Sequence, residues 1–424
     1  MRRPSRLAVL VAAGVLTQTG LNLLRPVTSY KLLGFGAGTT AVGLSTAAYA
    51  IIPLAVAIGL GRLSDRMRSL VPLLVIGSLL LGAGGAGLAL APGVLTVGAA
   101  SALLGFGHLV FTIAGQTSVA RGSSPEKLDA GFGWFTAAYS VGQLAGPFLG
   151  GLLVQTAGIT TSLVTGAIIA AAASLLFVIP GVGRVQVRGQ VPDAVGPVPA
   201  DAAPDADVTT AEGAGRADGE HAASGSADPG RPGMVGILRT PGVPTLMLAS
   251  LSLLSMLDIL TAFLPVVGEH LGIGAAVVGV LLALRAAASI ACRAVLPTLV
   301  ARSGRRRLML WCLFGAAVTL ALPPLALAWW PGAVGIVVAG ALLLVGGFYL
   351  GIGQPLTMTG ISRSVPTQWR GSALAVRLMG NRAGQVLMPL LAGLVALSGP
   401  AGAIWMTCVL LAVSGVAVLR RPAT

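Results

Sequence analysis

Gly142-Gln-Leu-Ala-Gly-Pro-Phe-Leu-Gly-Gly-Leu152 returns 242 residues later as Gly384-Gln-Val-Leu-Met-Pro-Leu-Leu-Ala-Gly-Leu394. Glycine, glutamine, proline, leucine, glycine and leucine coincide in register. Both copies lie inside long apolar runs. Two further features recur at a similar offset: Pro26 with Pro265, and arginine-rich loops at 62–68 and 302–307. The chain therefore reads as two copies of one unit.

Working outward from each copy, apolar runs cover about 7–25, 38–60, 70–91, 94–117, 130–155 and 159–180, then 243–266, 274–300, 308–330, 333–359, 371–397 and 401–419. A helix that spans a bilayer needs about 20 mainly apolar residues, so the runs give six spans and then six more. Composition agrees. The 424 residues are 55% hydrophobic and 9% charged, whereas soluble domains carry roughly 25% charged residues. The expected fold is an all-α membrane protein of twelve transmembrane helices in two pseudo-symmetric six-helix bundles, residues 1–180 and 242–424.

Charge sets the orientation, because basic residues concentrate in cytoplasmic loops. With a cytoplasmic start, Arg2, Arg3, Arg6, Arg62, Arg66, Arg68, Arg121, Lys127, Arg302, Arg305, Arg306, Arg307, Arg363, Arg370, Arg420 and Arg421 all fall inside. Outer segments hold only Lys31 and the borderline Arg25. The expectation is thus a multi-pass protein of the cell's inner (plasma) membrane with both termini in the cytoplasm. The first apolar run is long enough to span and lacks a small-residue cleavage site, so it reads as a helix and not a signal peptide. The net charge of +14 belongs to these loops and not to a nucleic-acid surface.

Residues 181–241 differ in kind. They are rich in Ala, Gly, Pro and Asp and carry eight of the thirteen acids, from Asp193 to Asp228. Such a stretch cannot bury enough apolar surface to order itself, and the expectation is a disordered cytoplasmic linker. Cys292, Cys312 and Cys408 lie singly in apolar runs, with no metal or disulfide spacing. Gly82-Ala-Gly-Gly-Ala-Gly87 lies mid-span, where it suits helix packing and not a phosphate cradle. No nucleotide loop, metal cluster or nucleophile–base set is visible. Neither an enzyme nor a cofactor is expected, and the partners expected are lipid, protons and a small molecule, for a monomer.

An ionisable residue at mid-membrane costs about 2.5–3.5 kcal/mol or more, so each needs a partner or a wet cavity. Asp258 is the acid well inside a span. Arg285 and Arg293, Arg377 and Arg382 stand on the eighth and eleventh spans, and Arg25 ends the first. Helical spacing groups Gln18, Asn22 and Arg25; His108 and Thr112; Tyr139 and Gln143; Arg285, Ser289 and Arg293; and Arg377, Asn381 and Gln385. Lipid would not tolerate these stripes, so they should share a cavity. Arg293 and Arg377 lie close enough to the cytoplasm to snorkel. The candidate substrate-binding set is Gln18, Asn22, Arg25, His108, Arg285, Asn381, Arg382 and Gln385. Asp258 is the candidate proton-coupling residue; the alternative is a fixed salt bridge to one arginine. One acid cannot neutralise four arginines, which points to a positive cavity suited to an organic anion.

Gly61-Arg-Leu-Ser-Asp-Arg-Met-Arg-Ser69, the Gly142–Gly151 segment and the six-plus-six plan with its long central loop together resemble the major facilitator superfamily over all but the linker. The fifth-span segment resembles the motif of its twelve-helix drug:proton antiporter branch. The resemblance implies a secondary transporter working by alternating access. It implies gating roles for Gly61, Asp65 and Arg66 and for Gly142, Gly146, Pro147, Gly150 and Gly151. Gly61 would allow close helix approach, and Asp65 would pair with Arg66 or Arg68 or face a helix N-terminus. Three departures stand out: Arg68 where a glycine is usual, Ala301 where the second copy would carry the acid, and Ser101-Ala-Leu-Leu-Gly105 where antiporters often carry an arginine. The leading expectation is proton-coupled export of a small organic compound; the second is uptake or facilitated diffusion of an organic anion. A transport-inactive sensor on the same fold is the third.

Overall fold

The computed structural model describes residues 6–122, 128–178, 234–330, 332–366 and 369–420. Lys127 and the expected linker up to residue 233 lie outside the described residues. The helices are α1 (Arg6–Gly34), α2 (Thr39–Arg66), α3 (Val71–Leu90), α4 (Val94–Gly122), α5 (Leu128–Ala157), α6 (Ile159–Ala172), α7 (Leu175–Val178), α8 (Met234–Arg239), α9 (Val243–His270), α10 (Ala275–Ser303), α11 (Arg305–Ala321), α12 (Pro323–Trp329), α13 (Ala333–Ser364), α14 (Arg370–Val395) and α15 (Gly402–Leu419).

Eleven helical segments among the described residues are long and apolar enough to cross a membrane. The twelfth span is α14. Its 26 residues reach about 39 Å at 1.5 Å per residue, but Arg377, Asn381, Arg382 and Gln385 lower its apolarity. Two expected spans are broken. The run 308–330 bends at Leu322, where Pro323 and Pro324 start α12, because proline cannot continue the ladder before it. The run 159–180 divides into α6 and α7. One expectation is corrected: residues 234–239, assigned to the linker, form the helix α8, and Ile237 there is 1% exposed against the core.

Side-chain hydrogen bonds sort the helix ends onto two faces. Arg121 at the end of α4 reaches the end of α2, and Arg306 at the start of α11 donates to the Leu419 carbonyl at the end of α15. This side is called the arginine face. On the opposite face, Lys31 near the end of α1 donates to the Ala89 carbonyl in the last turn of α3, 3.1 Å away. There the cation also meets the negative end of the α3 dipole.

Glycines let the helices inside each half approach closely. A Cβ on Gly84 would lie 2.7 Å from the Leu104 backbone, and one on Gly77 would lie 2.6 Å from that of Phe111, so α3 and α4 pack main chain to main chain. The mid-span glycine cluster is thus a packing surface, as its position suggested.

The halves, α1–α7 and α8–α15, meet along three seams: α1 on α9, α2 on α14 and α5 on α10. The repeated segment builds two of them. Pro147 and Gly151 of α5 pack on Gly279 of α10, and a Cβ there would lie 3.2 Å from the Gly151 Cα. Their counterparts Pro389 and Gly393 of α14 pack on Gly43 of α2, where a Cβ would lie 2.9 Å from the Gly393 Cα. The duplicated sequence therefore makes one contact twice, exchanged between halves. Hydrogen bonds reinforce both seams near the opposite face. Thr39 and Thr40 donate to the Gly393 carbonyl at 3.2 and 3.4 Å, and the Ala276 amide donates to Gln155 Oε1 at 3.1 Å.

Toward the arginine face the same helices lack such partners. Arg293 and Pro297, on the face of α10 that Gly279 turns to α5, are exposed, while Cys292, Leu296, Leu299 and Val300 on the other side stay packed against the core of their own half. The molecule is closed at the opposite face and open toward the arginine face.

Candidate functional site

A chain of polar contacts crosses the seam between α1 and α9 at mid-depth. Arg25 Nη2 lies 2.7 Å from Asp258 Oδ1. The other carboxylate oxygen accepts from Gln385 Nε2 at 3.0 Å, and Gln385 Oε1 accepts from Arg382 Nη1 at 3.0 Å. Asp258 is 5% exposed. One turn along α1, Ser29 donates to the Ala262 carbonyl at 2.7 Å, a second tie between the halves.

Pro26 of α1 and Pro265 of α9 sit near this crossing. A proline within a helix frees the carbonyl four residues back and bends the axis; in α9 that carbonyl belongs to Thr261, the neighbour of Ala262. The Ala262 carbonyl accepts across the seam from Ser29.

The wall from the first half is aromatic. The Arg25 guanidinium stands 4.8 Å from the centre of the Tyr49 ring, a cation–π arrangement. The Tyr49 hydroxyl bonds His108 Nδ1 at 2.5 Å, with the rings stacked at 6.1 Å. Tyr139 continues the wall 6.1 Å from His108 and bonds Thr112 at 2.7 Å. A small cavity on the opposite-face side of Arg25 is lined by Thr28, Ser45, Thr46 and Tyr49 among others.

Arg285 is different. It is 4% exposed, and its Nε and Nη1 are buried without a hydrogen-bond partner. Its charge acts on Asp258 and Arg25, so it belongs to the same cluster.

The structure thus joins Arg25, Asp258, Arg285, Arg382, Gln385 and His108. Three other candidates lie apart from that cluster. Asn381 donates to Ser250 Oγ at 3.1 Å, in a second node where Arg377 donates to Ser250 at 2.9 Å and to Gln354 at 3.1 Å. Asn22 donates to the Gln18 carbonyl of its own helix at 2.8 Å. Gln18 is 2% exposed, with its Nε2 unmatched. The backbone at Gln18 and at Asn22 carries α5: Cβ atoms on Gly142 and Gly146 would collide with it, 2.5 and 2.7 Å away. Gly142, Gly146 and Gly150 therefore fasten α5 to α1 inside one half, while Pro147 and Gly151 face the seam.

Two gating expectations are corrected. A Cβ on Gly61 would meet nothing within 4 Å, so this glycine brings no helix close while the arginine face is open. Asp65 is paired with neither Arg66 nor Arg68. Its carboxylate is 3.9 Å from Arg121 Nη2, and Arg66 is exposed. Arg121 also donates to the carbonyls of Ser64, Asp65 and Met67 at 2.8–3.0 Å. These belong to the end of α2, where carbonyls have no helical partner. Arg121→Ala should therefore cost about 1–3 kcal/mol and speed amide exchange in the last turn of α2. Arg66→Ala should leave that exchange unchanged.

Tyr49, Ser250, Gln354 and Arg121 were not singled out from sequence. A tyrosine in the middle of an apolar span was the available signal for Tyr49, since the chain has only four.

The sequence profile of the Major Facilitator Superfamily matches residues 10–266 and 246–424. The chain belongs to the major facilitator superfamily. It is a multi-pass membrane transporter of that type. No curated protein sequence matches it. Solved structures with the same fold include a POT family transporter in complex with a thioalcohol-conjugated peptide, at 11% identity and TM-score 0.72, covering 97% of this chain and 95% of that one. A bacterial homologue of the iron transporter ferroportin in an inward-facing state matches at 16% identity and TM-score 0.67, covering 98% of each chain. The nucleoside transporter NupG matches at 14% identity and TM-score 0.66, covering 97% of each. At these identities the likeness concerns the fold alone.

Proposed function

We propose that this chain is a proton-coupled transporter of a small organic anion, with its arginine face on the cytoplasmic side of the plasma membrane. The observation that carries the reading is the Arg25–Asp258 ion pair, made by one residue from each half. Alternating access moves the halves against each other, so this pair is positioned to respond to that motion. A proton on Asp258 removes the charge that holds Arg25.

Charge counting gives the sign of the coupling. Arg25, Arg285 and Arg382 surround one carboxylate. Protonating it raises the local charge from +2 to +3, so an anion binds more tightly once the proton is present. Linkage makes this reciprocal. Ligands that favour each other's binding travel together, and an inward proton gradient then drives uptake.

Export by proton antiport is the second reading, and the likeness of Gly142–Gly151 to the antiporter motif supports it. It needs the opposite sign, with a neutral or cationic compound displacing the proton from Asp258.

Purified protein in liposomes, given a pH gradient and a panel of organic anions and cations, tests both. The expected result is accumulation of an anion, abolished by a protonophore, with acidification of the same compartment that speeds up when the anion is supplied. Movement of a compound against the proton flow would establish the antiport reading instead. Accumulation indifferent to the protonophore would end the coupling proposal.

A further inference from the structure

Resting on the anion reading, we propose that the transported ligand is a flat aromatic carboxylate, its charge held by Arg285 and its ring laid against the Tyr49–His108–Tyr139 wall. Buried polar groups in folded proteins are nearly always hydrogen-bonded. The other arginines of the interior obey this: Arg25 holds Asp258, Arg377 holds Ser250 and Gln354, and Arg382 holds Gln385. Arg285 breaks the rule, with two nitrogens buried and unmatched. Asp258 does not satisfy it: its oxygens hold Arg25 and Gln385, and no ion pair joins it to Arg285 among the described residues. An unmatched cation in a membrane interior is costly, and such residues mark ligand paths. A guanidinium matches the planar fork of a carboxylate.

The guanidinium also has a rigid base. Gly347 of α13 lies against the Arg285 backbone, where a Cβ would stand 2.9 Å from its Cα. The facing half supplies aromatic rings and a further unmatched group, the buried His108 Nε2. With the Tyr49 hydroxyl donating to Nδ1, this Nε2 carries a hydrogen and can donate. A cation would meet three arginines here and be rejected. A saturated ring would lose the stacking that a flat ring finds.

Equilibrium binding of 1-naphthoate to the full-length protein in detergent, without any gradient, tests this. Naphthylmethylammonium and cyclohexanecarboxylate serve as comparators. Wild type should bind naphthoate saturably, bind cyclohexanecarboxylate about ten-fold more weakly, and ignore the ammonium compound. Arg285→Met should lose about 100-fold in naphthoate affinity while its ligand-free Tm stays level or rises, because an unmatched charge has gone. Arg285→Lys, which keeps the charge, should lose only about ten-fold and keep the preference for anions.

A fall in ligand-free Tm with naphthoate binding intact would make Arg285 structural and overturn the proposal. Equal binding of the ammonium compound would overturn the charge assignment, and equal binding of cyclohexanecarboxylate would overturn the ring assignment. Because no gradient enters the experiment, failure here leaves proton coupling in liposomes unaffected. Intact naphthoate binding without coupled flux would instead sink the coupling reading alone.

Discussion

Asp258→Asn should bind the anion at least as tightly as wild type at neutral pH and lose gradient-driven accumulation completely. The side chain keeps nearly the same shape but can no longer take up or release a proton. Arg25 loses its ionic partner and stays available to the ligand, so the site is held in its receptive charge state. Downhill exchange should continue, because the halves can still move. Binding that strengthens in wild type as pH falls should become flat with pH in the variant. Stability should fall by less than the roughly 3–5 kcal/mol typical of breaking a buried ion pair, since Asn still offers an oxygen to Arg25. Adding Arg25→Gln should recover part of the loss, as a double-mutant cycle would show. Flux and binding measured on one preparation decide the matter. Accumulation of the anion by the Asn variant against its gradient would remove Asp258 from the coupling step.

The twelve spans and their pairing into halves were legible in the sequence, because bilayer thickness imposes one length and the repeat one order. The exceptions have local causes. Pro323 divides a continuous apolar run, and α8 is too short to announce itself in a polar stretch. The site was legible as a set of residue types: Arg25, Asp258, Arg285, Arg382 and Gln385 do converge. Their pairings were not, because helical spacing states which face a residue shares but not which helix faces it. Thus the α14 stripe divides between two nodes, with Asn381 on Ser250 and Gln385 on Asp258. Arg121 shows the same limit. Its charge was read as a mark of orientation, yet its hydrogen bonds make it the cap of α2. Tyr49 was missed because one aromatic residue in an apolar run carries no periodic signal; it matters through Arg25 and His108, which come from other helices.

Gly279→Leu should turn a molecule closed at the opposite face into one that spends much of its time open there. Gly279 touches Pro147 and Gly151 across the seam, and even a Cβ would stand 3.2 Å from the Gly151 Cα. Backbone cannot retreat as a flexible side chain can. The added bulk should cost the closed seam about 1–3 kcal/mol, a shift of roughly 5- to 150-fold in the ratio of the two states. The open state has no such contact to lose, so the whole penalty enters the equilibrium between states. Thr46 lines the cavity beside Arg25; on a background lacking Cys292, Cys312 and Cys408, Thr46→Cys reports access. Impermeant maleimide added on the opposite face should label it slowly in the parent and many-fold faster with Gly279→Leu. Gly43→Leu, at the sister seam on Gly393, should act the same way, because the repeat builds both contacts alike. The arginine face gives the control: Gly61→Leu, where a Cβ meets nothing within 4 Å, should leave that labelling unchanged. If the seam variants label no faster than the parent, the Pro–Gly repeat packs the bundle without setting which face is open.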